Sequence, residues 1–115
     1  MKKSKIFRRI EVYKEDENLN CMLPQHCVKE VIEAENIRDL DWPYAYIYKL
    51  SKNYWMLIDS LTGKLLCYGK TKKECLLNWN LKYKDRCIIW RDHNINLYNK
   101  FIDELNNAKE IGELK

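Results

Sequence analysis

The sequence predicts an α+β fold: a small antiparallel sheet of three to four strands, with two or three helices packed mainly on one face. Three observations carry this expectation. Residues 44 to 68 are rich in aromatic and β-branched side chains and are broken twice by short turn sequences. Thr71-Lys72-Lys73-Glu74 follows at once and opens a helix. Near the other end, Ile95, Tyr98, Phe101, Ile102 and Leu105 recur at the spacing of one helix face. At 115 residues and 46% hydrophobic, the chain is long enough for one domain, residues 1–115, with its own core.

Taken in order, Ile6, Arg8, Ile10 and Val12 alternate partially and predict a first strand over residues 5–13. Residues 15–23 read as a polar loop. Pro24 suits the first turn of a helix, and Val28, Val31 and Ile32 supply a helical stripe through about Asn36. Asp39-Leu40-Asp41-Trp42-Pro43 breaks it, because the residue before a proline is pushed out of the α region. Tyr44, Tyr46 and Tyr48 then fall on one side of a strand, with Ala45, Ile47 and Lys49 on the other.

Ser51-Lys52-Asn53 and Ser60-Leu61-Thr62-Gly63 turn the chain into two further strands, giving a three-stranded meander. In the helix that follows, the Thr71 side chain caps backbone N–H groups and Glu74 reaches back toward it. That helix runs to about Lys84 with Cys75, Leu76, Trp79 and Tyr83 on one face, so residues 44–84 form a βββα unit. Cys87-Ile88-Ile89-Trp90 is an apolar run flanked by charge. It reads as a short strand, with the end of a longer helix as the other reading. Asp92 or Asn94 caps the last helix.

Charge is modest and unevenly placed. The net value is +4, below the basicity of dedicated nucleic-acid binders. Lys2, Lys3, Lys5, Arg8 and Arg9 come first, an acidic run from Glu11 to Glu17 follows, and Lys70, Lys72 and Lys73 cluster at the helix start. Five cysteines at irregular spacing disfavour a disulfide framework, and no apolar run is long enough to span a membrane. A reducing, cytoplasmic setting without membrane contact is expected. Lys outnumbers Arg, and Asn and Ile are abundant, as an AT-rich coding genome such as that of a low-GC bacterium or its phages produces.

The chemistry-bearing residue types do not assemble into a catalytic or metal motif. Cys21, His26 and Cys27 are close in sequence, but no Cys-x-x-Cys or His-x-x-x-His pair accompanies them, so no metal is expected. On a helix, His26 and Cys27 would point about 100° apart, a poor geometry for a base and its thiol. With three glycines in the chain there is no phosphate-binding loop, and no cofactor or enzymatic activity is expected.

Trp55, Asp59, Thr62-Gly63-Lys64 and Gly69-Lys70-Thr71-Lys72-Lys73-Glu74-Cys75 resemble the N-terminal arm-DNA-binding domains of phage and transposon tyrosine integrases. Over residues 44–84, that resemblance implies a three-stranded sheet that reads a DNA major groove, with a helix behind it. The third strand, Leu65-Leu66-Cys67-Tyr68, lacks the positive charge usual in that family. Gly69 to Cys75 is also similar to the last strand-to-helix turn of double-stranded-RNA-binding domains.

Two functional expectations follow. The first is a small non-catalytic binding protein, phage or mobile-element encoded, that docks on a host protein or nucleoprotein complex and inhibits or modulates it. Anti-CRISPR proteins are examples of that class. The second is direct duplex nucleic-acid binding, with Tyr44, Tyr46, Tyr48 and Trp55 on an open sheet face and Lys70, Lys72 and Lys73 on phosphates.

Overall fold

The computed structural model describes residues 3–16 and 21–111, with side chains described for residues 3–11 and 27–111. It is an α+β fold whose antiparallel sheet is larger than the sequence suggests. The strands are β1 (Lys3–Asp16), β2 (Cys21–Asn36), β3 (Ala45–Ser51), β4 (Tyr54–Asp59) and β5 (Leu65–Gly69), in sheet order β1-β2-β3-β4-β5. A short β6 (Lys109–Glu110) pairs in parallel with Val28 and Lys29 of β2.

The meander over β3, β4 and β5 and both of its turns lie where the alternation places them. The main correction falls on residues 24–36, which are strand and not helix. Val28, Val31 and Ile32 fit a helical stripe, yet the periodicity in use is two: Val28, Glu30 and Ile32 lie opposite Ile10, Arg8 and Ile6 of β1. β-Branched side chains favour that choice. Pro24 does not interrupt the pairing, because the register shifts beside it. Val12 pairs with His26 and Tyr13 with Pro24, so Gln25 is the extra residue of a bulge, a position that tolerates proline. Residues 15, 16 and 21–23, read as loop, extend the two strands, and residues 17–20 of that loop lie outside the described residues.

The helical part is α1 (Lys72–Asn78), a π-helical turn (Trp79–Tyr83) and α2 (Lys84–His93) in one continuous path, followed by α3 (Ile95–Asn107). Thr71 caps α1, its hydroxyl accepting from the Glu74 N–H at 3.0 Å. Cys87–Trp90 is therefore helical, the second of the two readings. The π turn explains how. Cys75, Trp79, Tyr83 and Cys87 recur every four residues, a spacing that drifts about 40° per step around an α-helix. One wider turn takes out part of that drift and keeps all four toward the sheet. At the next junction Asn94 occupies the cap position of α3, but its side-chain amide donates to the Trp90 carbonyl at 2.9 Å and so closes α2 instead.

Two cores share the sheet. On the helix side, Ile47, Leu57 and Cys67 pack against Cys75, Trp79 and Tyr98, with Trp42 set edge-on to Trp79 at 5.8 Å between ring centroids. The Trp79 indole donates to the Leu40 carbonyl at 2.9 Å, tying the β2–β3 loop to the helix. On the other side, Ile6, Ile32 and Ala34 pack with Met56 and Ile58. In a flat sheet β1 would lie about 14 Å from β4, three strand spacings away. Here the Arg9 N–H on the outer edge of β1 donates to the Gly63 carbonyl, in the β4–β5 turn, at 2.9 Å. The sheet has coiled until its first strand meets that turn, and the second core fills the inside of the coil.

That turn is built on Asp59, which is buried. Its carboxylate accepts from the Leu61 N–H at 3.1 Å, the Thr62 hydroxyl at 3.0 Å and the Tyr98 hydroxyl at 2.7 Å. Gly63 follows at φ 71°, and a Cβ there would stand 2.7 Å from the Arg9 nitrogen. We therefore expect Asp59→Ala to lower stability by about 3 kcal/mol and Tyr98→Phe by about 1 kcal/mol, the difference reflecting how many donors lose a partner. Urea denaturation measures both, and equal losses would show that the phenol bond alone matters. Gly63→Ala should cost more than 1 kcal/mol, roughly the strain of a non-glycine residue at positive φ.

Candidate functional site

The structure separates the aromatic residues singled out in the sequence. Tyr44 precedes β3 and is exposed, whereas Tyr46 and Tyr48 are half-buried inside the coiled sheet against Met56 and Ile58. Burial pushes the Tyr48 phenol up, with Arg8 opposing and Glu30 reinforcing the shift. Trp55 lies opposite Lys49 in the ladder, hence on the other face, half-buried against the helix-side core with the Lys49 ammonium 5.9 Å from its ring. The expected open tyrosine face is thus closed over Tyr46 and Tyr48. Residues 24–36 are the reason: as a strand they bring Ile32 and Ala34, with Ile6 of β1, across that face.

The lysines divide as well. Lys72 forms an ion pair with Glu35 of β2 at 2.9 Å. Lys70 and Lys73 are exposed at the start of α1. Lys70 borders a cleft of about 350 Å³ between the β3–β4 turn and α1, together with Tyr54, Tyr68, Glu74, Asn78, Lys82 and Tyr83. The rings of Tyr54 and Tyr68 stack there, 5.6 Å apart and inclined by 8°, and Tyr68 remains 52% exposed. Asn78 donates to the Tyr68 carbonyl at 2.9 Å, holding α1 against β5 at this corner. Gly69 permits the approach, since a Cβ would stand 2.5 Å from the Cys75 nitrogen. Sequence reasoning missed Tyr54 and Lys82, while Tyr68 was among the aromatics of the predicted sheet. The pairing of Met56 with Tyr68 puts Tyr54 diagonally across from Tyr68, a relation that the hairpin register contains.

A second surface lies on the outer side of the helical path. Leu77 is 50% exposed, Leu81 73% and Ile89 57%. Leu77 and Leu81 are four residues apart and adjacent on the helix, and Ile89 follows two turns later. Exposed polar residues, among them Lys73, Asn80, Lys82, Asp85 and Arg86, are interspersed with these apolar side chains, which stand free of the core that Cys75 and Trp79 enter.

The cysteines do not form a reactive constellation among the described residues. Cys67 and Cys75 are buried with their sulfurs 4.0 Å apart, and the hydrogen bond between them, with burial, drives the Cys67 thiol far up. Burial raises the thiols of Cys27 and Cys87. Cys27 lies on β2, not at a helix start, and donates weakly to the Glu104 carbonyl at 3.8 Å. The side chains of Cys21 and His26 lie outside the described residues. Among the described residues there is no group of three His, Cys, Asp or Glu side chains placed to hold a metal, and no helix long and apolar enough to cross a membrane.

The fold and these surfaces define an α+β protein with a coiled antiparallel sheet and one helical layer. Compared with protein-family models, curated proteins and solved structures, the chain matches none. We expect Cys67 and Cys75 to resist alkylation until the protein unfolds, and Cys27 and Cys87 to react more slowly than a free thiol at neutral pH, because the thiolate is the reactive form. Timed iodoacetamide labelling with mass-spectrometric mapping tests this, and fast labelling of Cys67 in native buffer would contradict it.

Proposed function

We propose that the protein is a small non-catalytic binding protein that docks on a larger protein or nucleoprotein complex and inhibits or modulates it. The observation that carries this reading is the exposed apolar row Leu77, Leu81 and Ile89 on the outer side of the helical path. Large apolar groups held on a rigid helix and left in water are a mark of a protein interface. The sequence bias toward Lys, Asn and Ile supports a low-GC bacterium, or a phage or mobile element living in one, as its source, and on that reading the target is a host defence or nucleic-acid-handling complex. We expect Leu77→Glu with Leu81→Glu to fold with stability within about 0.5 kcal/mol of wild type, as exposed substitutions do. That variant should lose whatever specific partner the wild type captures from a host lysate. Identical captured sets for the two proteins would remove the helix row from the interface.

A second reading rests on the Tyr54–Tyr68 stack beside Lys70 and Lys82. An exposed ring face next to free ammonium groups is suited to stacking a base and meeting a phosphate. The coiled sheet leaves Tyr46 and Tyr48 unable to enter a groove, so this reading shifts from the sheet face to the corner. Lys70→Glu with Lys82→Glu should abolish nucleic-acid retardation in a shift assay without loss of fold. Lys72→Glu is a poorer test, because it also sets two acids against each other at Glu35. Retardation unchanged by the double substitution would rule out the corner.

A further inference from the structure

The structure holds a second concavity that neither functional reading uses. A cleft of about 270 Å³ opens between β5, α2 and α3. Buried Trp42 and Tyr98 lie at its bottom, and Trp90 and Phe101 line it with their rings stacked 6.2 Å apart at 11°. Two cations stand at this aromatic surface. The Lys64 ammonium sits 3.3 Å from the centre of the Phe101 ring, and Arg86 borders the opening.

Neither cation has a direct carboxylate partner among the described residues. The acids nearest Lys64 are Glu11 and Glu104, and both are engaged by Arg9, at 2.6 and 2.9 Å. Arg9 itself lies 5.2 Å from the centre of the same Phe101 ring, adding a like charge to the neighbourhood. Burial, reinforced by Arg9, draws the Lys64 amine below its ordinary range despite those acids. Among the described residues, no carboxylate lies within ion-pair distance of Lys64 or Arg86. An apolar cavity with a few convergent polar groups is the usual form of a small-molecule site, and this one sits near the lower end of the roughly 300–1,000 Å³ such sites span.

We propose that this cleft binds a small carboxylate carrying one ring or branched apolar group. The apolar group packs between Trp42, Trp90 and Phe101, and the carboxylate meets Lys64 and Arg86. A guanidinium and an ammonium together supply the donors and charge that a carboxylate requires, in a setting where water is partly excluded and the pairing gains strength. A neutral ligand of the same shape would leave both cations without an anion. A cationic one would be repelled by them.

The test uses phenylacetate and cyclohexylacetate as probes and phenylacetamide as the neutral control. Calorimetry gives affinity, and the indole resonances of the ¹⁵N-labelled protein report location. The expected result is binding in the micromolar to millimolar range, with the Trp42 and Trp90 indoles moving and Trp55 still, and about tenfold weaker binding of the amide. Arg86→Gln and Lys64→Met should each weaken the carboxylates about tenfold while the remaining spectrum shows an intact fold. Arg86 is exposed, so its substitution keeps the test clear of folding defects. No response to either carboxylate at millimolar concentration, or equal binding of the amide, would overturn the proposal.

Discussion

The carboxylate of Asp59 is the interaction on which the rest of the molecule depends. A buried carboxylate must be met by donors, and here three come from different levels of structure: a backbone N–H two residues on, a hydroxyl three residues on, and the phenol of α3. The first two fold the β4–β5 connection into one shape, with Gly63 in the left-handed region. That shape aims the Gly63 carbonyl outward to receive the Arg9 N–H, which closes the coiled sheet. The third seats Tyr98 beside Trp42 and fixes the lateral position of α3. From there Glu104 reaches Arg9 at 2.9 Å and the Glu104 carbonyl meets Cys27, so the same helix is pinned to both β1 and β2.

Closure of the sheet decides which side chains are available to a partner. With β1 brought against the β4–β5 turn, the inner face holds Ile6, Ile32, Met56 and Ile58 with Tyr46 and Tyr48, and it has its own core without a helix. The helical layer lies outside, over Ile47, Leu57 and Cys67. A three-stranded sheet with a helix behind it, as the integrase-like motif implies, would leave the front face free. In this chain the long β1–β2 hairpin occupies it. Of the residues carrying that motif, Asp59, Thr62 and Gly63 are accounted for by the turn's own hydrogen bonds and backbone conformation, and Thr71 by its helix cap.

What was legible in the sequence had a local cause. The alternation from Ala45 to Lys49, the turn at Asn53 with φ 65° and the Thr71 hydroxyl's bond to the Glu74 N–H are settled within a few residues and stand as read. What was not legible needed a distant partner. Val28, Val31 and Ile32 satisfy a helical spacing as well as a strand one, and only pairing with Ile10, Phe7 and Ile6 selects between them. Cys87–Trp90 was ambiguous because a four-residue apolar run has no periodicity of its own, and a π turn upstream changes which of its residues face inward. For the site, Lys72 looked equivalent to Lys70 and Lys73, yet Glu35, 37 residues away, takes its charge. The Lys64–Arg86 cleft had no signature at all, since its members come from β5 and its flanking turn, α2, α3 and the β2–β3 loop.

The ion pairs also change the meaning of the net charge. Arg8, Arg9, Lys72, Lys84 and Arg91 each have a carboxylate within 4.0 Å, so these five cations bind the protein to itself. Each pair removes one charge of either sign, so the net +4 is carried by the remaining groups. At the tyrosine corner the cations are Lys70 and Lys82, with Glu74 beside them, and two phosphate contacts give a logarithmic salt slope of only about −2 on duplex DNA. A steeper measured slope would require cations from elsewhere on the chain. A slope near zero would leave the stacked tyrosines without an electrostatic partner, and the exposed leucines of the helical path would then stand as the surface through which the protein meets its target.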